Sequence, residues 1–226
     1  MTMLRKIAPG VHVAEAPQRF GGVELGARMT VLELDGGLLV HSPLAVDPGQ
    51  IASEVGSLGE PRWVLAPNKF HHLYVGPWID AGLEGWAAPG LPEKRPDVSF
   101  AGIVETGAQP FGDELEVLTL TCFDLSNEVV VLHKPSRTLV ATDLVFHFTK
   151  GAPWATRAAL WCIGGYPGCR TTVLERLKMK RDRAREEIRT IAGWEFDRIV
   201  MAHGEVVETG GRDALRHAFE WLDLDR

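Results

Sequence analysis

At 226 residues, 45% hydrophobic and 24% charged, the chain has the composition of a globular protein that buries a sizeable core, and a single domain over residues 1–226 is expected. A net charge of −6 and a pI near 5.8 argue against nucleic acid as the main partner, because phosphate binding needs a basic surface. No apolar run reaches the ~18 residues of a membrane span, the first residues lack the apolar core of a secretion signal, and the three cysteines (Cys122, Cys162, Cys169) fit no metal-type pair spacing. A cytoplasmic protein with reduced thiols and no membrane partner is expected.

The early segments read as strands. GVHVAEA (10–16), MTVLELDGGLLVHSP (29–43) and RWVLAP (62–67) are apolar or alternating and are bounded by Gly and Pro. The DGG inside the second predicts a hairpin turn. DPGQIASEVGSLG (47–59) predicts a helix, with Asp47 at the N-cap, Pro48 at the first position and Gly59 at the stop. GPWIDAGLEG (76–85) reads as a short helix and GLPEKRPDVSF (90–100) as a turn-rich stretch.

Three further strands are expected at 115–123, 128–135 and 137–146. Residues 171–193 predict one long helix with Leu174, Leu177, Ala184, Ile188 and Ile191 on its apolar face. Its basic residues (Lys178, Lys180, Arg181, Arg183, Arg185) read as a solvated face rather than an anion site. FDRIVMAHG (196–204) is another strand and 211–224 a closing amphipathic helix. Strands that lead and helices that interleave make a layered α/β architecture with more than one sheet or a mixed sheet.

Three polar clusters stand at strand ends: His71 and His72 after WVLAP, Asp143 after RTLVAT, and His203 after RIVMA. Strand ends converge at a sheet rim, where loops carry sites. Histidine and aspartate are ligands for zinc and other first-row metals. Each cluster also has a plainer reading: a loop feature for the His-His pair, a helix N-cap for Asp143, a turn for His203-Gly204.

The order of His cluster, HKPSRTLVATDLVF and IVMAHGE resembles the metallo-β-lactamase fold superfamily, and within it a subgroup with the pattern HHL…HKPSRTL…DL…HG. The resemblance spans roughly residues 8–208. It implies a four-layer αββα sandwich with the site at one edge, between the two sheets. The superfamily signature is H-x-H-x-D-H, then a fourth His, a bridging Asp and a last His. Here Pro67 and Lys69 stand where its first two histidines belong, and 121–127 holds no histidine. The resemblance therefore implies one retained metal position, built from His71, His72, Asp143 and His203. His72 matches the signature more closely than His71. Zinc is the expected ion, with iron or manganese as alternatives. Asn68, Asp124 and Glu205 are expected to orient the imidazoles. Asp143 is a candidate catalytic residue, and an unligated His71 a candidate general base.

Other histidines receive plainer roles: His12 and His41 in strands, His133 at the HKPSR corner, His217 on the last helix, and His147 as a reserve ligand. Arg137 is read as a turn residue at the far end from the site. Phe146, Phe148, Trp154 and Trp161 line an apolar cleft, pack internally, or form a homodimer surface. The function expected is hydrolysis of a small-molecule ester, thioester or phosphoester. The alternative is a non-catalytic binding or assembly protein of the same fold. An iron-dependent oxidoreductase ranks last.

Overall fold

The computed structural model describes residues 4–45 and 53–225. Seven strands form the larger sheet, in the order β1 (Arg5–Ala8), β2 (Val11–Ala16), β5 (Ala27–Leu34), β6 (Gly37–His41), β7 (Pro61–Ala66), β8 (Glu84–Ala87) and β9 (Gly102–Ile103). The smaller sheet runs β10 (Leu115–Thr119), β11 (Val129–His133), β12 (Thr138–Val140) and β15 (Arg198–Val200). Two short ribbons complete the strands: β3 (Arg19–Phe20) with β4 (Val23–Glu24), and β13 (Phe146–Phe148) with β14 (Gly168–Arg170).

Period-two alternation divides each strand between two apolar layers. Val13, Leu32, Leu39, Trp63 and Leu65 of the larger sheet meet Val117, Val129, Val131, Val140 and Val200 of the smaller one. Their neighbours face outward. Met29, Val31, Val40 and Val64 pack under α1 (Val75–Asp80) through Val75 and Trp78. Leu118, Val130, Leu132, Leu139 and Ile199 pack under α5 (Arg181–Gly193) and α6 (Gly211–Ala218). The result is helix, sheet, sheet, helix: the four-layer sandwich.

Several elements depart from the sequence expectations. The long helix of 171–193 is two helices, α4 (Val173–Lys178) and α5. Met179 is extended (φ −67°, ψ 138°), and the Lys180 amide donates to the Cys122 carbonyl (2.8 Å) rather than continuing a helical ladder. Only α5 buries its apolar face; Leu174 and Leu177 of α4 are exposed. The helix expected at 76–85 stops at Asp80, and its end enters β8. The stretch 90–100 holds a short helix, α2 (Leu91–Lys94). The strand expected over 137–146 ends at Val140, because the Glu128 carboxylate takes the amides of Thr142 and Asp143 and turns the chain there. Of the helix expected at 47–59, residues 53–56 are helical, while Asp47 and Pro48 lie outside the described residues. The 29–43 segment is the expected hairpin, with Leu34 paired to Gly37.

No helix among the described residues is long and apolar enough to cross a membrane. Arg137 sits at positive φ (52°) in the turn before β12, its guanidinium 3.8 Å from exposed Glu195. His133 bonds Ser136 across that corner at 2.7 Å.

Candidate metal centre

The site follows from strand direction. β6 and β7 are parallel, as are β12 and β15. Ser42, Asn68–His72, Thr142–Asp143 and His203 follow those four strands and meet at one edge of the sandwich, between the sheets. Three side chains bring donor atoms together: His71, Asp143 and His203. His71 Nε2 lies 3.3 Å from His203 Nε2 and 3.4 Å from Asp143 Oδ2. His203 Nε2 lies 3.4 Å from Asp143 Oδ1.

His72 is not part of this group. It is buried, but its Nδ1 accepts from Arg95 Nη1 at 3.0 Å, and Arg95 is in turn paired with Asp97 at 2.7 Å. Adjacent residues cannot both turn the same way here, and the one that matches the superfamily signature more closely is the one turned aside. Burial, with the charges of Lys94 and Arg95 nearby, pulls the His72 imidazole down to about 4. It is neutral at physiological pH, with its proton on Nε2, since Nδ1 is an acceptor.

Each imidazole of the cluster is oriented from behind. His203 Nδ1 donates to the Gly26 carbonyl at 2.6 Å, and His71 Nδ1 bonds Ser42 Oγ at 2.9 Å. A carbonyl only accepts, so neutral His203 carries its proton on Nδ1 and turns a bare Nε2 toward Asp143. Ser42 holds a left-handed backbone (φ 56°), a strained conformation of the kind that concentrates at functional sites. The loop around His203 is clamped by buried Arg28, which donates to the carbonyls of Met201 (2.5 Å) and Gly204 (2.6 Å). Gly204 is required: at φ 86°, a Cβ there would stand 2.1 Å from the His147 carbonyl oxygen.

Asp143 is held by Asn68, whose amide donates to Asp143 Oδ2 and Thr142 Oγ1, each at 2.8 Å. The Asn68 oxygen accepts the Phe70 and His71 amides, also at 2.8 Å. Asn68 thus positions the carboxylate and the loop, not the imidazoles. Asp124 and Glu205 lie elsewhere: Asp124 pairs with Lys180, and Glu205 bonds Thr149. His147 bonds the Glu205 carbonyl and stays outside the cluster. Sequence reasoning missed Ser42, Gly26 and Arg28. Of these, only Arg28 left a signal, as a lone cation in the apolar strand ARMTVLEL.

Burial opposes ionisation of Asp143, but the two imidazoles outweigh it and hold the carboxyl well below the usual range. Burial also pulls His203 down, and Asp143 overcomes it, leaving His203 above its ordinary value. Glu128, buried beside Asp143, is pushed up to about 7. The cluster therefore accommodates positive charge. The donor set fits a metal ion: a tetrahedral ion with bonds of about 2.0–2.1 Å keeps ligand atoms about 3.3–3.4 Å apart.

A cavity of about 380 Å³ opens over the cluster. Phe146 lines it and stacks on His203 (centroids 5.9 Å apart, 14° between planes). Phe148 is buried, whereas Trp154 and Trp161, on α3 (Trp154–Cys162), are exposed and lie outside the cavity wall.

No protein-family model matches the chain, and no curated protein is significantly similar to it. Solved structures are similar across nearly their whole length. The metallo-β-lactamase FIM-1 of Pseudomonas aeruginosa, in its mono-zinc form, superposes with a TM-score of 0.71 at 12% identity, covering 98% of this chain and 95% of that one. The chain has the metallo-β-lactamase fold. A metallo-β-lactamase from Pontibacter korlensis gives a TM-score of 0.64 at 14% identity, over 99% of each chain. Another, from Hirschia baltica, gives 0.64 at 11% identity, over 98% of this chain and 97% of that one. In this version of the metallo-β-lactamase fold, Asn68 and the His71–Asp143–His203 cluster occupy the sandwich edge.

Proposed function

We propose that the protein is a metal-dependent hydrolase of a small ester, thioester or phosphoester, working with one divalent ion held by His71, Asp143 and His203. The spacing of the three donors carries this reading, since it matches three corners of a tetrahedron. Zinc suits two imidazoles and a carboxylate, with iron or manganese as alternatives. Three protein donors leave one corner open, the pattern of catalytic rather than structural zinc sites. A neighbour of the same fold with a mono-zinc form supports a single ion.

When bound, the ion supplies Lewis acidity that activates water and polarises a carbonyl or phosphoryl oxygen. The chain's own residues do the rest. Ser42 and the Gly26 carbonyl keep both imidazoles pointed inward. Asn68 fixes the rotamer of Asp143 and so the height of the carboxylate in the site. His72, its Nδ1 occupied by Arg95, retains an Nε2–H to donate to an oxygen of a bound substrate. His71 is assigned as a ligand rather than a base, because its Nε2 stands against both other donors.

A non-catalytic binding protein of the same fold is the second reading. It is favoured by Pro67, Lys69 and the histidine-free 121–127 segment, where the ligands of a further ion would stand. Metal analysis of zinc-loaded protein, beside an ester and thioester panel, separates the two. One ion per chain in the wild type and in His72→Ala, lost in His71→Ala and His203→Ala, is expected along with hydrolysis. Bound metal without hydrolysis selects the second reading. Metal retained in His71→Ala and lost in His72→Ala would refute the assigned ligand set.

A further inference from the structure

The walls of the cavity say more about the substrate than the metal cluster does. Its volume of about 380 Å³ lies at the low end of small-molecule sites, which run to about 1,000 Å³. Phe20, Phe70, Leu73 and Leu174 line it and are 76%, 48%, 55% and 49% exposed. They come from three separate places: the β3–β4 ribbon, the loop after β7, and α4. A single exposed apolar side chain needs no explanation, but four converging on one cavity do. Phe123 and Phe146 extend the apolar surface along the wall.

Two cations interrupt it. Lys69 and Lys94 line the same cavity, and their ammonium groups donate only to backbone carbonyls, those of Asp124 (2.8 Å) and Lys69 (2.5 Å) respectively. The Asp124 carboxylate is taken by Lys180 and the Asp97 carboxylate by Arg95. Among the described residues neither lysine makes an ion pair with a carboxylate, in a chain whose net charge is −6. Lys94 Nζ stands 5.6 Å from the Phe70 ring centre, so positive charge and apolar wall adjoin. A ligand filling this space meets greasy surface and cationic donors at once.

We propose that the substrate of this centre is an anionic amphiphile: an ester or thioester with an apolar acyl group, bearing a carboxylate or phosphate that Lys69 and Lys94 receive. The proposal rests on the hydrolase reading above and names its substrate class. Water adds across the acyl C–O or C–S bond, releasing a carboxylic acid and an alcohol or thiol. The anionic group is not altered; it orients the acyl group over the cluster.

The test compares two octanoyl thioesters on zinc-loaded protein, one whose leaving thiol carries a carboxylate and one whose leaving thiol is neutral. At least tenfold higher kcat/KM for the anionic one is expected. The preference should vanish in Lys69→Met/Lys94→Met and return in Lys69→Arg/Lys94→Arg. Equal rates in the wild type, or a preference that the methionine variant keeps, would overturn the proposal while leaving the hydrolase reading intact. If neither thioester is cleaved, binding of octanoate against octanol by calorimetry decides separately. Lysine-dependent preference for octanoate then supports the anionic site, and the lack of turnover counts against hydrolysis alone. Binding to anionic lipid vesicles with no discrimination between the soluble probes would overturn it in favour of a lipid surface.

Discussion

Asn68→Ala is the most informative single change in this protein. Asn68 is fully buried at the end of β7 and makes four hydrogen bonds, each of 2.8 Å, to the Phe70 and His71 amides, Thr142 Oγ1 and Asp143 Oδ2. It joins the edge of the larger sheet to that of the smaller one. Three neutral bonds at about 1 kcal/mol each, with one bond to a carboxylate at about 2 kcal/mol, amount to about 5 kcal/mol if none is replaced. Water entering from the adjoining cavity recovers part of this, so a loss of about 3–5 kcal/mol is expected. For a chain of this size that lowers Tm by roughly 10 °C. Metal affinity should fall roughly 10- to 100-fold, because the carboxylate is no longer held in place. Urea unfolding of metal-free protein and competitive zinc titration measure the two effects. Asn68→Asp serves as a comparator: it keeps the shape but sets a second carboxylate against Asp143, so its penalty should ease at acid pH. An Asn68→Ala protein within about 1 kcal/mol of wild type, with unchanged zinc affinity, would refute the claim that this amide builds the site.

Two further outcomes follow from the same geometry. His41 is buried between the sheets, and burial, with His71 nearby, pulls its imidazole down to about 3. A base with a lowered folded pKa stabilises fully above its unfolded value near 6.5 and loses that contribution as pH falls toward 3. Once below the unfolded value the loss approaches about 1.4 kcal/mol per pH unit. The urea midpoint of wild type should therefore drop more steeply between pH 6.5 and 4.5 than that of His41→Leu; parallel slopes would contradict it. Gly204→Ala forces a Cβ to 2.1 Å from the His147 carbonyl oxygen, so the His203 loop must shift. Loss of metal binding and a stability loss of more than about 3 kcal/mol are expected; near wild-type melting with intact zinc binding would show that the loop accommodates it.

Much of this protein is legible without a structure. Unbroken apolar runs in WVLA, VVVLH and TLV mark strands buried on both faces, because a sheet between two layers has no solvated side. The polar residues that end those strands, His71, Asp143 and His203, are also visible, since a residue leaving a buried strand reaches the rim whatever the details. Other features are invisible in one dimension. Whether His71 or His72 faces the cluster depends on how one loop turns, and that turn is set by Asn68, which takes the Phe70 and His71 amides while bonding Asp143, 75 residues away. Ser42 and Gly26 grip the two histidines, and Arg28 the loop that carries His203, through contacts 29, 177 and 176 residues apart, and of the three only Arg28 is marked locally, as a lone cation in an apolar strand. The break between α4 and α5 arises because the Cys122 carbonyl captures an amide from a segment whose own periodicity continues unbroken. Local hydrophobic pattern determines strands and layers because burial acts residue by residue. The choice of ligand, its orientation and the shape of the cavity are decided only when distant backbone groups meet, since each depends on a hydrogen bond whose partner the neighbouring sequence does not contain.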